Sequence, residues 1–191
     1  MSVQCLFVDR DGTINVEKNY VHKVEDLEYL PRALEALRRA TEHGIKTYIV
    51  TNQAGIAKGI FREDDFHTLT AKMLQDMREH GIEIAEVLYC PHHPQATVAA
   101  YRKDCDCRKP GTGLFQRVIA RDKLSPESMA LVGDKNSDIE AGRQLGMVTY
   151  LVETGYGAVE KSTTRADYVV GDLMAAVEHL LSHDSSRAGS P

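Results

Sequence analysis

The residues with the clearest chemical potential are two aspartates at the end of a short apolar run. Cys5-Leu6-Phe7-Val8 leads directly into Asp9-Arg10-Asp11-Gly12-Thr13. Asp9 and Asp11 lie two positions apart, so a locally extended backbone sends both carboxylates the same way. Two carboxylates held together away from water repel strongly, and something must offset the repulsion. A divalent cation does so, and an all-oxygen site suits a hard ion such as magnesium. Gly12 permits a sharp turn out of the strand. The plainer reading of this segment is a turn carrying two solvated acids.

Three more polar clusters follow apolar, strand-like runs. Thr51-Asn52-Gln53 comes after Thr47 to Val50; the Thr51 hydroxyl can hydrogen-bond a phosphoryl oxygen, and the two amides can orient it. Lys109 supplies a cation able to neutralise a transferring phosphoryl group. Asp134, after Met129 to Val132, offers a third oxygen ligand. Each has an ordinary alternative: Thr51 as strand filler, Lys109 as a surface charge, Asp134 as a helix cap. Their shared placement at strand ends argues for one site.

The cysteines raise a second chemistry. Cys90-Pro91-His92 and Cys105-Asp106-Cys107 form a C-x-H…C-x-C pattern. Three sulfurs and one imidazole suit tetrahedral zinc, and four protein ligands imply a structural ion with no open position. One-residue spacing lets both members of each pair face inward. The alternative is a loose loop with unpaired thiols, and His93 competes with His92 as the nitrogen ligand. Cys5, inside an apolar run, reads as core.

These residues need a scaffold. Strand-like runs (Cys5 to Val8, Thr47 to Val50, Val87 to Tyr89, Met129 to Val132, Val148 to Val152, Tyr168 to Val170) alternate with helix-like periodicity. The helical patterns lie after Pro31 up to Gly44, over Glu63 to His80, around Leu114 to Ile119, around Ile139 to Leu145, and over Leu173 to Leu181. Alternation of this kind predicts an α/β, Rossmann-like fold, a mostly parallel sheet with helices on both faces. Ligands of such folds collect beyond the carboxyl ends of the strands. The 191 residues predict one domain over 1–183, a zinc loop at 90–107 in place of a large cap domain, and a flexible tail over 184–191. The net charge of -5 disfavours nucleic acid as partner. No run is long enough to span a bilayer and the start lacks leader features, so the expectation is a cytoplasmic monomer.

Asp9-Arg10-Asp11-Gly12-Thr13, Thr51-Asn52, Lys109 and Gly133-Asp134 with Asp138 together resemble the motifs of the haloacid dehalogenase-like phosphatases, over nearly the whole chain. The resemblance implies a magnesium-dependent phosphomonoesterase. Asp9 would be the nucleophile and form a phosphoaspartate, with Asp11 as general acid and base. Asp9, the backbone carbonyl of Asp11, and Asp134 would hold magnesium, while Thr51 and Lys109 stabilise the phosphoryl oxygens. C-P-H-H-P…C-D-C-R-K-P, with D-R-D-G-T-I-N and T-N-Q-A-G-I-A-K-G, is most similar to the D-glycero-D-manno-heptose-1,7-bisphosphate 7-phosphatases of lipopolysaccharide core biosynthesis. Histidinol-phosphate phosphatases are near relatives, typically with a shorter stretch between the two metal-binding pairs. By that resemblance Arg108 would contact the second phosphate or the sugar hydroxyls and take part in catalysis. Glu17, Lys18, Asn19 and Tyr20 would form a substrate wall, and Thr51, Asn52, Gln53, Ala54, Lys109 and Lys135 would line the pocket of a small sugar bisphosphate.

Overall fold

The structure, a computed structural model, describes residues 3–185. Strands β1 (Cys5–Val8), β2 (Lys46–Asn52), β3 (Ile84–Cys90), β4 (Met129–Gly133), β5 (Val148–Val152) and β6 (Tyr168–Val170) form one sheet in the order β3-β2-β1-β4-β5-β6. Every neighbouring pair is parallel. Parallel strands need crossovers, which the intervening helices supply. The chain runs outward from β1 through β2 to β3, then returns to place β4 on the other side of β1. The strand order therefore reverses between β1 and β4, which opens a crevice at their carboxyl ends. Asp9 follows β1 and Asp134 follows β4, so both fall in that crevice.

Side chains alternate across β1, and each face has its own core. Leu6 and Val8 join Ile49, Val132, Tyr150 and Val152 under α1 (Ala33–Glu42), α3 (Glu63–Glu79) and α7 (Leu173–Ser185). Cys5 and Phe7 join Tyr48, Val50, Leu88 and Leu131 under α4 (Gly113–Asp122) and α5 (Asn136–Gln144). Both faces of β1 are covered, which explains a strand without a polar residue. Burial pushes the Cys5 thiol up to about 12, as suits an inert core residue.

The helices follow local signals. In α3, Phe66, Leu69, Met73 and Met77 form the buried stripe. Its first turn holds Glu63, Asp64 and Asp65, and the Asp65 carboxylate accepts the Arg62 N–H at 2.8 Å. Acids there complement the helix dipole and an otherwise unpaired amide. Helix α1 starts at Ala33 rather than at Pro31, because Arg32 has a left-handed backbone (φ 60°) that interrupts the turn. Two one-turn helices escape the sequence pattern, α2 (Ala54–Ala57) and α6 (Gly157–Glu160). Helix α7 extends to Ser185, two residues into the expected flexible tail; residues 186–191 lie outside the described residues. Among the described residues no helix is long and apolar enough to cross a membrane.

Phe115 on α4 is fully buried and meets Phe7 edge-on, with ring centroids 5.2 Å apart. Phe115→Ala is expected to destabilise the fold by about 3–5 kcal/mol through lost burial and a residual cavity, measurable by urea unfolding. A loss well below 1 kcal/mol would contradict this packing.

Candidate active site

Lys109 lies at the centre of the crevice. Its Nζ is 2.6 Å from Asp9 Oδ1, 2.5 Å from Asp138 Oδ1 and 2.6 Å from the Val50 carbonyl oxygen. All three side chains are nearly inaccessible to solvent. Burial would drive a lysine toward neutrality, but the two carboxylates raise its pKa and keep it charged. Its backbone is fixed by Asn52, whose amide donates to Lys109 O at 3.1 Å and whose Oδ1 accepts the Lys109 N–H at 3.0 Å. Asn52 thus orients Lys109, besides lining the cleft. Asp138 was legible as part of a motif but not as a partner of Lys109. It sits in the first turn of α5, where its Oδ2 also accepts the Lys135 N–H at 3.1 Å.

Asp11 does not share this cluster. Arg10, itself fully buried, donates from Nε to Asp11 Oδ2 at 3.1 Å and from Nη2 to Oδ1 and Oδ2 at 2.9 and 2.7 Å. Asn15 and Gln53 donate to the same carboxylate, each at 3.0 Å. Burial alone would raise the Asp11 pKa; the Arg10 guanidinium and these donors hold it below the usual carboxylate range. Gln53 also bridges to Thr51 Oγ1 at 2.8 Å, linking the ends of β1 and β2. Arg10 and Asn15 were not foreseen as supports of Asp11, because nothing in their spacing marks them as such.

The remaining acids fit a cation. Oxygens of Asp9, Asp134 and Asp138 lie within 4.8 Å of one another. Asp134 is fully buried; its Oδ2 accepts the Tyr156 N–H at 2.9 Å, but its Oδ1 has no hydrogen-bond partner. A buried carboxylate oxygen without a donor is costly. Burial and the charge of Asp9 push Asp134 up to about 8. Burial pushes Asp9 up to about 6, against the pull of Lys109. A divalent cation would relieve both effects. The Asp11 carboxylate stands outside the group because Arg10 holds it, which leaves its backbone carbonyl for the role the resemblance implies. Gly12 explains the close approach: its φ is +84°, and an added Cβ would come within 2.1 Å of Asp134 Oδ2.

The cleft continues outward from these residues. Thr51, Asn52, Lys109, Lys135, Ser137 and Glu17 line its inner part, with Asp9, Asp11 and Asp138. Asn19, Tyr20, Gln53, Ala54, Arg108, Lys58, His93 and Tyr156 join its outer part, about 310 Å³ in volume. That space suits a small molecule. Lys18 is the exception among the expected wall residues. It does not line the cleft: its Nζ turns away to the Asp26 carbonyl at 3.2 Å and to Glu28 at 2.9 Å. Lys58, His93, Ser137 and Tyr156 line the cleft, a place the sequence reading did not give them.

Cys90, His92, Cys105 and Cys107 converge, their ligand atoms within 4.8 Å of one another. Sulfur–sulfur separations are 3.0, 3.2 and 3.5 Å, and His92 Nδ1 lies 3.2 and 3.8 Å from Cys107 and Cys90. A tetrahedron with bonds of about 2.3 Å to a central ion has edges of about 3.8 Å, so the four ligands already approximate such a cage. His92 belongs to it, whereas His93 lines the cleft.

The buried acids make stability depend on pH. Without a cation, folded Asp9 and Asp134 keep protons that the unfolded chain releases near its ordinary value of 3.8. Their raised pKa values mean that stability falls as pH rises from about 4 through about 6 and 8. A bound divalent cation removes the need for those protons. Added magnesium is therefore expected to raise the melting temperature more at pH 8 than at pH 5, by about 3 °C or more. Equal shifts at both pH values would contradict the acid cluster as a cation site.

Known proteins resemble this chain in sequence and fold. Residues 106–176 match a family model described as HAD-hydrolase-like. The chain is 41 % identical over 159 residues to the D-glycero-alpha-D-manno-heptose-1,7-bisphosphate 7-phosphatase of Photorhabdus laumondii, covering 83 % of this chain and 87 % of the relative. It is 40 % identical over 175 residues to the D-glycero-beta-D-manno-heptose-1,7-bisphosphate 7-phosphatase of Escherichia coli, covering 90 % and 91 %. The crystal structure of D,D-heptose 1,7-bisphosphate phosphatase from B. bronchiseptica, complexed with magnesium and phosphate, superposes with a TM-score of 0.86 at 28 % identity, covering 96 % of this chain and 99 % of that one. With its parallel sheet, its crevice and these relatives, the chain belongs to the haloacid dehalogenase-like hydrolases, in the family of the heptose-1,7-bisphosphate 7-phosphatases.

Proposed function

We propose that this chain hydrolyses the 7-phosphate of D-glycero-D-manno-heptose 1,7-bisphosphate, giving heptose 1-phosphate and inorganic phosphate through a phosphoaspartate on Asp9. The observation that carries the reading is Lys109 Nζ at 2.6 Å from Asp9, beside the unpartnered oxygen of Asp134. A nucleophile, a phosphoryl-neutralising cation and a vacant oxygen ligand meet in one crevice, in a chain whose relatives are named for this reaction.

The phosphoryl group enters between Thr51 and Lys109. A carboxylate oxygen of Asp9 attacks phosphorus in line with the bond to the sugar oxygen, which breaks. Lys109 and the Thr51 hydroxyl neutralise charge on the equatorial oxygens. Asp11 gives its proton to the departing alkoxide, then removes one from the water that attacks the phosphoaspartate. Cleavage of the Asp9–phosphorus bond frees phosphate and regenerates the carboxylate. Arg10 opposes protonation of Asp11 in the free site, and the negative phosphate acts in the opposite direction, so substrate binding shifts Asp11 toward its acid form. Asp9, Asp134 and the Asp11 backbone carbonyl would hold magnesium, which supplies charge neutralisation for the phosphoryl group and the nucleophile. Cys90, His92, Cys105 and Cys107 would hold a structural zinc that fixes the loop leading into Arg108 and Lys109. Such a reaction is a cytoplasmic step toward activated heptose.

Three measurements test this. Phosphate release should be much faster from the α- or β-anomer of heptose 1,7-bisphosphate than from histidinol phosphate; the reverse preference would move the chain to histidine biosynthesis. Asp9→Asn should lower kcat by at least about three orders of magnitude, and unchanged turnover would remove Asp9 as the nucleophile. Zinc removal, or Cys105→Ser, should raise KM by loosening the loop, whereas unaltered kinetics in zinc-free protein would deny the loop that role.

A further inference from the structure

The loop 153–156, between β5 and α6, takes no step in the chemistry at Asp9. It nevertheless touches both stretches of chain that would supply the cation's ligands. The Thr154 hydroxyl donates to the Gly12 carbonyl at 2.6 Å, across 142 residues of chain. The Tyr156 N–H donates to Asp134 Oδ2 at 2.9 Å. Gly155 sits between these two bonds with a φ of +55°. An added Cβ there would come within 2.2 Å of Asp134 Oδ2 and 2.7 Å of Gly12 Cα, so the loop is packed directly on both.

These contacts decide which oxygens are left for a cation. Tyr156 takes Asp134 Oδ2, and Oδ1 is the oxygen without a partner. Gly12 is held on both sides. Its N–H donates to the Asn15 carbonyl at 2.8 Å, which fixes the peptide that also carries the Asp11 carbonyl. In a trans peptide that carbonyl points away from the N–H. Thr154 fixes the next peptide through the Gly12 carbonyl. Gly12, at φ +84° and with no side chain, is the most permissive point of the turn. The Thr154 hydroxyl supplies the restraint that Gly12 lacks by itself.

We propose that Thr154 is a positioning residue for the cation site. Its hydroxyl, with Gly155 and the Tyr156 N–H, holds the Asp11–Gly12 turn against Asp134, so that the Asp11 carbonyl and Asp134 Oδ1 are set in place before a divalent cation binds. The inference rests on the reading that Asp9, Asp134 and the Asp11 carbonyl hold magnesium, and it adds the residue that keeps those ligands in register. Ligands that are already ordered lose less freedom on binding, which raises affinity. A group that touches the ligands and not the ion can act in this way.

Thr154 is half-buried and outside the core, so its replacement tests positioning rather than folding. Magnesium chloride is titrated calorimetrically into the full chain after magnesium has been dialysed away. Thr154→Val keeps the shape and removes the donor, and its Kd for magnesium is expected to rise about tenfold. Thr154→Ser keeps the hydroxyl and should recover most of the affinity. In turnover, Thr154→Val should raise the half-saturating magnesium concentration rather than KM for the sugar bisphosphate. A hydroxyl that served stability alone would lower the melting temperature of the valine variant and leave its magnesium affinity intact. A Kd for Thr154→Val within twofold of the unaltered chain would therefore overturn the proposal while leaving the cation site standing. Failure of magnesium to bind the unaltered chain would overturn the cation reading itself, and the role of Thr154 with it.

Discussion

A lysine buried between two aspartates is the interaction on which the rest of this structure depends. Lys109 Nζ is held by Asp9, Asp138 and the Val50 carbonyl, and almost none of its surface meets water. Removing one partner of such a buried group leaves a charge uncompensated and costs about 3–5 kcal/mol. The ammonium therefore fixes the end of β1, the end of β2 and the start of α5 relative to one another. It also gives the loop that carries the Cys/His cage a mechanical purpose. Cys107 is anchored in the cage two residues before Lys109, and Asn52 grips the Lys109 backbone on both sides. The loop delivers one cation to a place that no strand end reaches.

Charge balance explains what the crevice is ready to receive. Asp9, Asp134 and Asp138 bring three carboxylates to one Lys109, and two of the acids respond with raised pKa values. A dication restores balance and, with it, tolerance for a phosphoryl group. Asp11 is insulated from this cluster by Arg10, Asn15 and Gln53. Two carboxylates only two residues apart therefore occupy opposite electrostatic settings, as division of labour between nucleophile and proton carrier requires.

Much of this was legible in the sequence, for identifiable reasons. Fully apolar or β-branched runs ending in Asp9, Thr51 and Asp134 announced central parallel strands and put the polar clusters at their carboxyl ends. The C-x-H…C-x-C spacing announced the cage. Supports that act through geometry were not legible. Arg10 looked like an arbitrary residue between two aspartates, yet it is the clamp on Asp11. Asn52 was expected to orient the phosphoryl group and line the pocket, yet both ends of its amide hold Lys109. Lys18 was grouped with its neighbours, but its side chain turns away from the cleft to Glu28. Lys58 and His93 reach the cleft only because Val98 pairs with Ala57 across 41 residues of chain, a contact without a local signature. The end of α7 was misplaced because small polar residues carry little helical signal.

The most direct test of the central claim is to trap the covalent phosphoryl enzyme. Rapid mixing with heptose 1,7-bisphosphate and magnesium, a quench, and borohydride reduction should convert residue 9 to homoserine, as read by peptide mass spectrometry. The account predicts that reduction at Asp9 alone, dependent on substrate. Turnover with an unmodified Asp9, or reduction at Asp11 or Asp134 instead, would contradict it.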